Sequence, residues 1–159
     1  MSERPDNAGV RIPPPLFYAV AVVLGLLLDG LHSLRISAVV ASGLIRTAAG
    51  WMLLALSLYL MSTAFRLFGR KHTSVVPIRP ATVLVVEGPY RLTRNPMYVG
   101  LALFTTALGV FLDSWWPIIL LVPVLVLVQW LVIAREESYL HRRFGAEYDA
   151  YTRQVRRWL

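Results

Sequence analysis

Cysteine is absent from all 159 residues, so the chain has no disulfide framework, no thiolate metal ligand and no cysteine nucleophile. Its redox compartment therefore leaves no trace in the sequence. Charge is sparse as well: Asp, Glu, Lys and Arg make up 16% of the chain, against 57% hydrophobic residues. A soluble domain is about a quarter charged, so this composition expects lipid. Alternating strand and helix patterns are also missing, which excludes a soluble nucleotide-binding fold beside the membrane part. One domain is the natural count at this length. The surplus of basic residues, a net charge of +7, lies between apolar runs. That placement fits orientation in a membrane and contact with anionic head groups, and excludes nucleic acid as the expected partner.

What is present is a series of apolar runs. Residues 1–15 read as a disordered, cytoplasmic N-terminus, ending in Pro13-Pro14-Pro15; no convincing small-residue cleavage site follows. Residues 16–31 form a first span and 47–68 a second, with the mixed stretch 35–46 between them either helical or interfacial. Arg66, Arg70 and Lys71 close the second span. Pro77, Pro80 and Pro89 then exclude a continuous helix over 74–90, where Val83-Leu84-Val85-Val86 is a short extended run. Residues 97–112 make a third span with Gly100 and Gly109 for close approach, and 117–134 a fourth with Pro123 as a kink site. Asp113-Ser114 turns between them, beside Trp115 and Trp116. Over 135–159, Tyr139, Leu140, Phe144, Tyr148, Tyr151 and Val155 recur at three- and four-residue steps, predicting two short surface helices broken at Gly145. The expected fold is thus an all-α integral membrane protein of about four transmembrane helices plus C-terminal amphipathic interfacial helices.

The charges orient it. Arg66, Arg70, Lys71, Arg79, Arg91 and Arg94 lie between spans two and three, and Arg135, Arg142, Arg143, Arg153, Arg156 and Arg157 follow span four. The turn between spans three and four has no Lys or Arg. The positive-inside rule therefore puts both basic segments and both termini in the cytoplasm, in a multi-pass protein suited to a bacterial inner membrane, with Arg35 and Arg46 dissenting.

Two polar clusters come to the same membrane face. The first is Gly88-Pro89-Tyr90-Arg91-Leu92-Thr93-Arg94-Asn95-Pro96-Met97-Tyr98-Val99-Gly100. Pro96 suits the first turn of a helix, whose free N–H groups face the cytoplasm. The second is Glu136-Glu137 with Phe144-Gly145, Tyr148, Tyr151 and Arg153. Adjacent helical residues differ by about 100°, so one carboxylate faces the bundle while the other faces water. Taken singly, the first cluster reads as a proline-started helix anchored to lipid phosphate, and the second as a solvated cap paired with Arg135 or Arg142.

Taken together, Gly-Pro-Tyr-Arg, Arg-Asn-Pro-x-Tyr-x-Gly and Glu-Glu with Phe-Gly-x-x-Tyr-x-x-Tyr resemble the isoprenylcysteine carboxyl methyltransferase family, grouped with the membrane phospholipid methyltransferases. The resemblance covers 83–159, which it marks as the catalytic half of a single methyltransferase domain over 16–159; the first two spans match only in being apolar. It implies methyl transfer from S-adenosylmethionine to a lipophilic or membrane-associated acceptor. It also implies a cofactor pocket at Tyr90, Asn95, Pro96, Tyr98, Gly100, Glu136 and Glu137, with Arg94, Glu137 and Arg153 at the reacting groups. The family usually has His where Asn95 stands; Asn donates and accepts hydrogen bonds but does not titrate, so a proton-transfer role there is in doubt. The acceptor is open between a prenylated cysteine carboxylate, a phospholipid amine and a small thiol, and oligomeric state is open too. The rivals are a sterol reductase, which resembles the C-terminal pattern but is much larger, and a membrane scaffold without catalysis. No metal site is expected: Asp29 and His32 read as the cap of span one, and His72 and His141 as surface residues.

Overall fold

A computed structural model describes residues 7–10, 12–71, 73 and 80–159. The surface reading of His72, the loop proline Pro77, and the charges of Arg4, Arg11 and Arg79 lie outside the described residues. Of the polar N-terminal stretch, Ala8 and Val10 are buried against the core, and the Gly9 carbonyl accepts from Arg135.

Helix α1, Pro14–Leu31, opens with proline in its first turn, where the missing N–H has no partner to lose. The mixed stretch 35–46 divides into a 3-10 turn, Ile36–Ala38, and the start of α2, Gly43–Arg70, whose first turn is capped by the Ser42 hydroxyl. Helix α3 is Pro96–Phe111, and α4 is Trp116–Val128. A π-turn, Gln129–Ile133, carries α4 without interruption into α5, Ala134–Phe144. Gly145, at φ +50°, ends α5 and admits α6, Ala146–Gln154.

The continuity of α4 and α5 differs from the expected end near residue 134. Nothing between Val128 and Phe144 breaks a helix. The change of polarity at Arg135 marks where the helix leaves the apolar layer, while the backbone runs on. The break at Gly145 stands where it was expected. Three helices are long and apolar enough to cross a membrane, Pro14–Leu31, Gly43–Arg70 and Trp116–Phe144, and α3 is a shorter apolar helix of 16 residues, about 24 Å long at 1.5 Å per residue. The described residues contain no strand, and the run 83–86 is irregular. This is an all-α membrane protein.

Helix α2 packs along α3, and α1 along α4, with α3 and α4 closing the bundle. The core between them is Tyr18, Ala21, Leu121, Val124, Val128, Val132 and Ile133. The opposite faces are apolar and bare: Val20, Leu24 and Leu27 on α1, Trp51, Met52 and Tyr59 on α2, Val122, Val126 and Trp130 on α4 and the π-turn. An apolar outside over a packed inside is what a hydrocarbon solvent asks for.

At one end of the bundle the dissenting arginines find acids. Asp113, at φ +53°, accepts from the Ser37 amide and hydroxyl, both at 2.7 Å, and lies 3.8 Å from Arg46. Asp29 accepts from the Ser114 hydroxyl at 2.9 Å and lies 3.7 Å from Arg35. The His32 carbonyl accepts from the Trp116 indole. Asp29 therefore ties α1 to the α3–α4 turn.

Gly25 sets how closely α1 approaches α4: a Cβ there would stand 2.9 Å from the backbone nitrogen of Pro117. Gly25→Ala should lower stability by about 1–3 kcal/mol, the usual cost of overpacking, while Gly30→Ala, which meets open space, should not. Thermal unfolding in detergent distinguishes the two; equal midpoints would remove the close contact.

Candidate functional site

At the other end of the bundle, the start of α3, the end of the long α4–α5 helix, α6 and the C-terminal tail converge. Gly88, at φ +58°, turns the chain into a 3-10 turn, Gly88–Arg91, which buries Tyr90 against Phe68 with ring centroids 5.8 Å apart. The buried Thr93 hydroxyl accepts from the Asn95 amide and donates to the Arg157 carbonyl. The Asn95 side chain donates to that same carbonyl at 3.0 Å rather than capping α3. One turn into α3, the Tyr98 hydroxyl donates to Glu136 Oε1 at 2.7 Å, and the Tyr98 carbonyl accepts from Tyr18.

The two neighbouring carboxylates have different surroundings. Glu137 lies 3.2 Å from Arg94 Nη1 and accepts two bonds from Arg157, one from Nε at 2.9 Å and one from Nη2. Glu136 has the Tyr98 hydroxyl and, among the described residues, no cation within ion-pair distance. The expected pairing with Arg135 or Arg142 on the same helix is replaced by pairing across elements, because the tail and the segment before α3 bring their own guanidiniums.

Between these groups lies a cavity of about 140 Å³, walled by Tyr90, Arg94, Asn95, Tyr98, Glu136 and Glu137 together with apolar Phe68, Leu84, Val85 and Met97. Tyr139, Tyr148 and Tyr151 also line it. An outer groove with Arg94, Glu137, His141, Arg142, Tyr148 and Asp149 shares three of these residues with it. The loop before Tyr90 roofs the cavity, held by the Ala81 amide donating to the Tyr139 hydroxyl at 2.9 Å. Helix α6 is held by the Tyr151 hydroxyl donating to the Tyr90 carbonyl at 2.7 Å and by His141 against Asp149. Burial raises the Tyr90 and Tyr151 phenols and takes Tyr148 up to about 12, helped by Glu137, so all three stay protonated donors at neutral pH. The bond to Glu137 raises Arg157 further above neutrality.

Of the nine residues that the resemblance assigned to the site, six share this wall: Tyr90, Arg94, Asn95, Tyr98, Glu136 and Glu137. Three stand elsewhere. Pro96 is buried as the first residue of α3, outside the wall. Gly100 faces α2, its carbonyl accepting from Ser57 at 2.8 Å, and a Cβ there would meet Met61. Arg153 is exposed on α6 and reaches neither hollow. The arginine that joins Arg94 at Glu137 is Arg157, because α6 stops at Gln154 and the tail folds back. Sequence reasoning missed Arg157 as a site residue, and named Tyr148 and Tyr151 in the second cluster and its motif without giving either a place in the pocket.

The phospholipid methyltransferase family matches residues 45–147, from the first turn of α2 through most of the site. An uncharacterized protein of Haemophilus influenzae is 41% identical over 66 residues, covering 40% of this chain and all of that protein. No solved structure matches the chain. The match extends over well more than half of the sequence, and the chain belongs to the phospholipid methyltransferase family.

Proposed function

We propose that this protein transfers a methyl group from S-adenosylmethionine to a lipophilic, membrane-associated acceptor, within one domain over 16–159 whose catalytic half is 83–159. Membership of a methyltransferase family supports the reaction class, and the apolar helices support an acceptor met in or at the membrane. The observation that carries the reading is the asymmetry of the two carboxylates. Glu136 brings to a largely aromatic and apolar wall a carboxyl with no cation partner among the described residues, which a bound organic cation would hold ionised.

The residues present fit the cofactor. Its sulfonium and ammonium match Glu136 and the faces of Tyr90 and Tyr98; its adenine suits the apolar wall. Arg94 Nε is buried with no partner among the described residues, an open donor for an anionic group. When bound, the cofactor supplies an electrophilic methyl. Tyr98 holds Glu136 in place, Asn95 holds the tail, and Tyr139 holds the loop at Ala81 over the cavity. Alignment of donor and acceptor is the main contribution such a site makes to an in-line transfer. Asn95 moves no proton: its amide is committed to the Arg157 carbonyl. A carboxylate or thiolate acceptor needs no base.

Among acceptors, an isoprenylcysteine-like carboxylate is our first reading, for the same open donor on Arg94; a phospholipid amine or small thiol is the second. The basic end of the bundle faces the cytoplasm in this reading, with both termini inside, as in a bacterial inner membrane.

Two predictions follow from the paired carboxylates. Titration of S-adenosylmethionine into the detergent-solubilised protein should give saturable heat, reduced at least about tenfold in affinity by Glu136→Ala and by Tyr98→Ala. Unchanged affinity in both variants would remove the pocket assignment, and no heat at all would favour a scaffold. Stability should follow the other carboxylate: Glu137→Gln should cost about 1–3 kcal/mol, since two guanidiniums lose their anion, and Glu136→Gln less than about 1 kcal/mol. Thermal unfolding compares them, and the reverse ranking would refute the assignment of roles.

A further inference from the structure

Arg94 and Arg157 both reach Glu137, but they use it unequally. Arg157 grips both carboxylate oxygens, with Nε and Nη2. Arg94 touches Oε1 with Nη1 alone at 3.2 Å, and the same nitrogen donates to the Tyr148 hydroxyl at 3.5 Å. Arg94 Nε is buried and has no partner among the described residues, although a guanidinium beside a carboxylate frequently pairs with it through two nitrogens. The side chain is well buried, 15% exposed, and lines both the cavity and the outer groove. A half-used guanidinium at such a place needs a reason. The tail supplies one: the Arg157 carbonyl is fixed by Thr93 and Asn95, the Arg156 carbonyl by the Arg94 amide, and the Trp158 indole by Gln129 in the π-turn. These bonds present the Arg157 side chain to Glu137 from a rigid base.

We propose that Arg157 is a positioning residue: by occupying both oxygens of Glu137 it keeps Arg94 from closing on that carboxylate, and so reserves the Arg94 guanidinium for a carboxylate of a ligand in the cavity. The proposal rests on the methyl-transfer reading for the identity of that ligand, and its carboxylate belongs either to the cofactor or to the acceptor. Without Arg157, Glu137 captures Arg94 with two bonds, and the ligand's carboxylate loses its partner. Arg157 itself touches no ligand. Lysine in its place keeps the charge but not the two-point grip, and restores the function only in part.

Calorimetry on the solubilised full chain tests this with pairs of ligands that differ in one carboxylate. S-adenosylmethionine is set against its decarboxylated form, and N-acetyl-S-farnesylcysteine against its methyl ester. The unmodified protein should prefer the acid of one pair by about tenfold or more, the worth of a charged hydrogen bond. Arg157→Ala should abolish that preference while the carboxylate-free partner binds within about twofold as before, and Arg157→Lys should fall between. The pair that responds identifies the source of the carboxylate. Preferences that survive Arg157→Ala, or an unmodified protein that binds these ligands with no preference for either acid, overturn the proposal.

A second measurement needs no ligand and separates this proposal from the cofactor reading. The coupling between Arg94→Ala and Glu137→Gln in thermal unfolding should be small with Arg157 present and clearly larger on the Arg157→Ala background. A protein that binds none of the four ligands yet shows this increase loses the methyl-transfer reading and keeps the positioning role. Unchanged coupling ends the positioning role whatever the ligands do.

Discussion

Ionised side chains at the end of a lipid-embedded helix persist only where other charges or donors hold them, and the architecture of this protein's functional end is organised by that constraint. Glu137 is the point where it is met. The long helix from Trp116 to Phe144 brings the carboxylate down, the segment before α3 brings Arg94, and the C-terminal tail brings Arg157. Three parts of the chain far apart in sequence are thereby fixed on one another. Glu136, one residue earlier and about 100° around the helix, is left to face the hollow those parts enclose.

The same logic works at the opposite end. Arg35 and Arg46 run against the charge asymmetry of the rest of the sequence, and each is answered by an acid, Asp29 or Asp113, that also binds a serine of a neighbouring segment. Local pairing thus lets two cations sit on the less basic side. It also fixes the α3–α4 turn against α1, so the hairpin that delivers Tyr98 and Glu136 to each other is anchored at its far end.

Much of this was legible in the residues. Apolar runs bounded by arginine mark the helices, proline marks the starts of α1 and α3, and Gly145 marks the break before α6. The meeting of Tyr98 with Glu136 follows from the hairpin formed by α3 and α4. What escaped has a physical cause in each case. The chain stays helical past Arg135 because polarity changes a helix's surroundings and not its backbone, so the site is built on one rigid rod. Arg157 follows the end of α6 at Gln154, and a tail folding back obeys no periodicity; its bonds to Thr93, Arg94 and Asn95 bring Arg157 to Glu137, while Arg153 stays exposed on α6. Gly100 lies in the same motif as Tyr98 yet serves α2, since successive motif residues point to different sides of a helix.

The central claim is that the hollow between the start of α3 and the end of the α4–α5 helix holds S-adenosylmethionine. Ultraviolet crosslinking of methyl-labelled S-adenosylmethionine to the purified protein, followed by mapping of the labelled peptide, tests it most directly. The account predicts label in the segments around Tyr90 to Tyr98 or Glu136 to Tyr151, suppressed by excess unlabelled cofactor. Competable label confined to α1 or the lipid-facing side of α2 would contradict it.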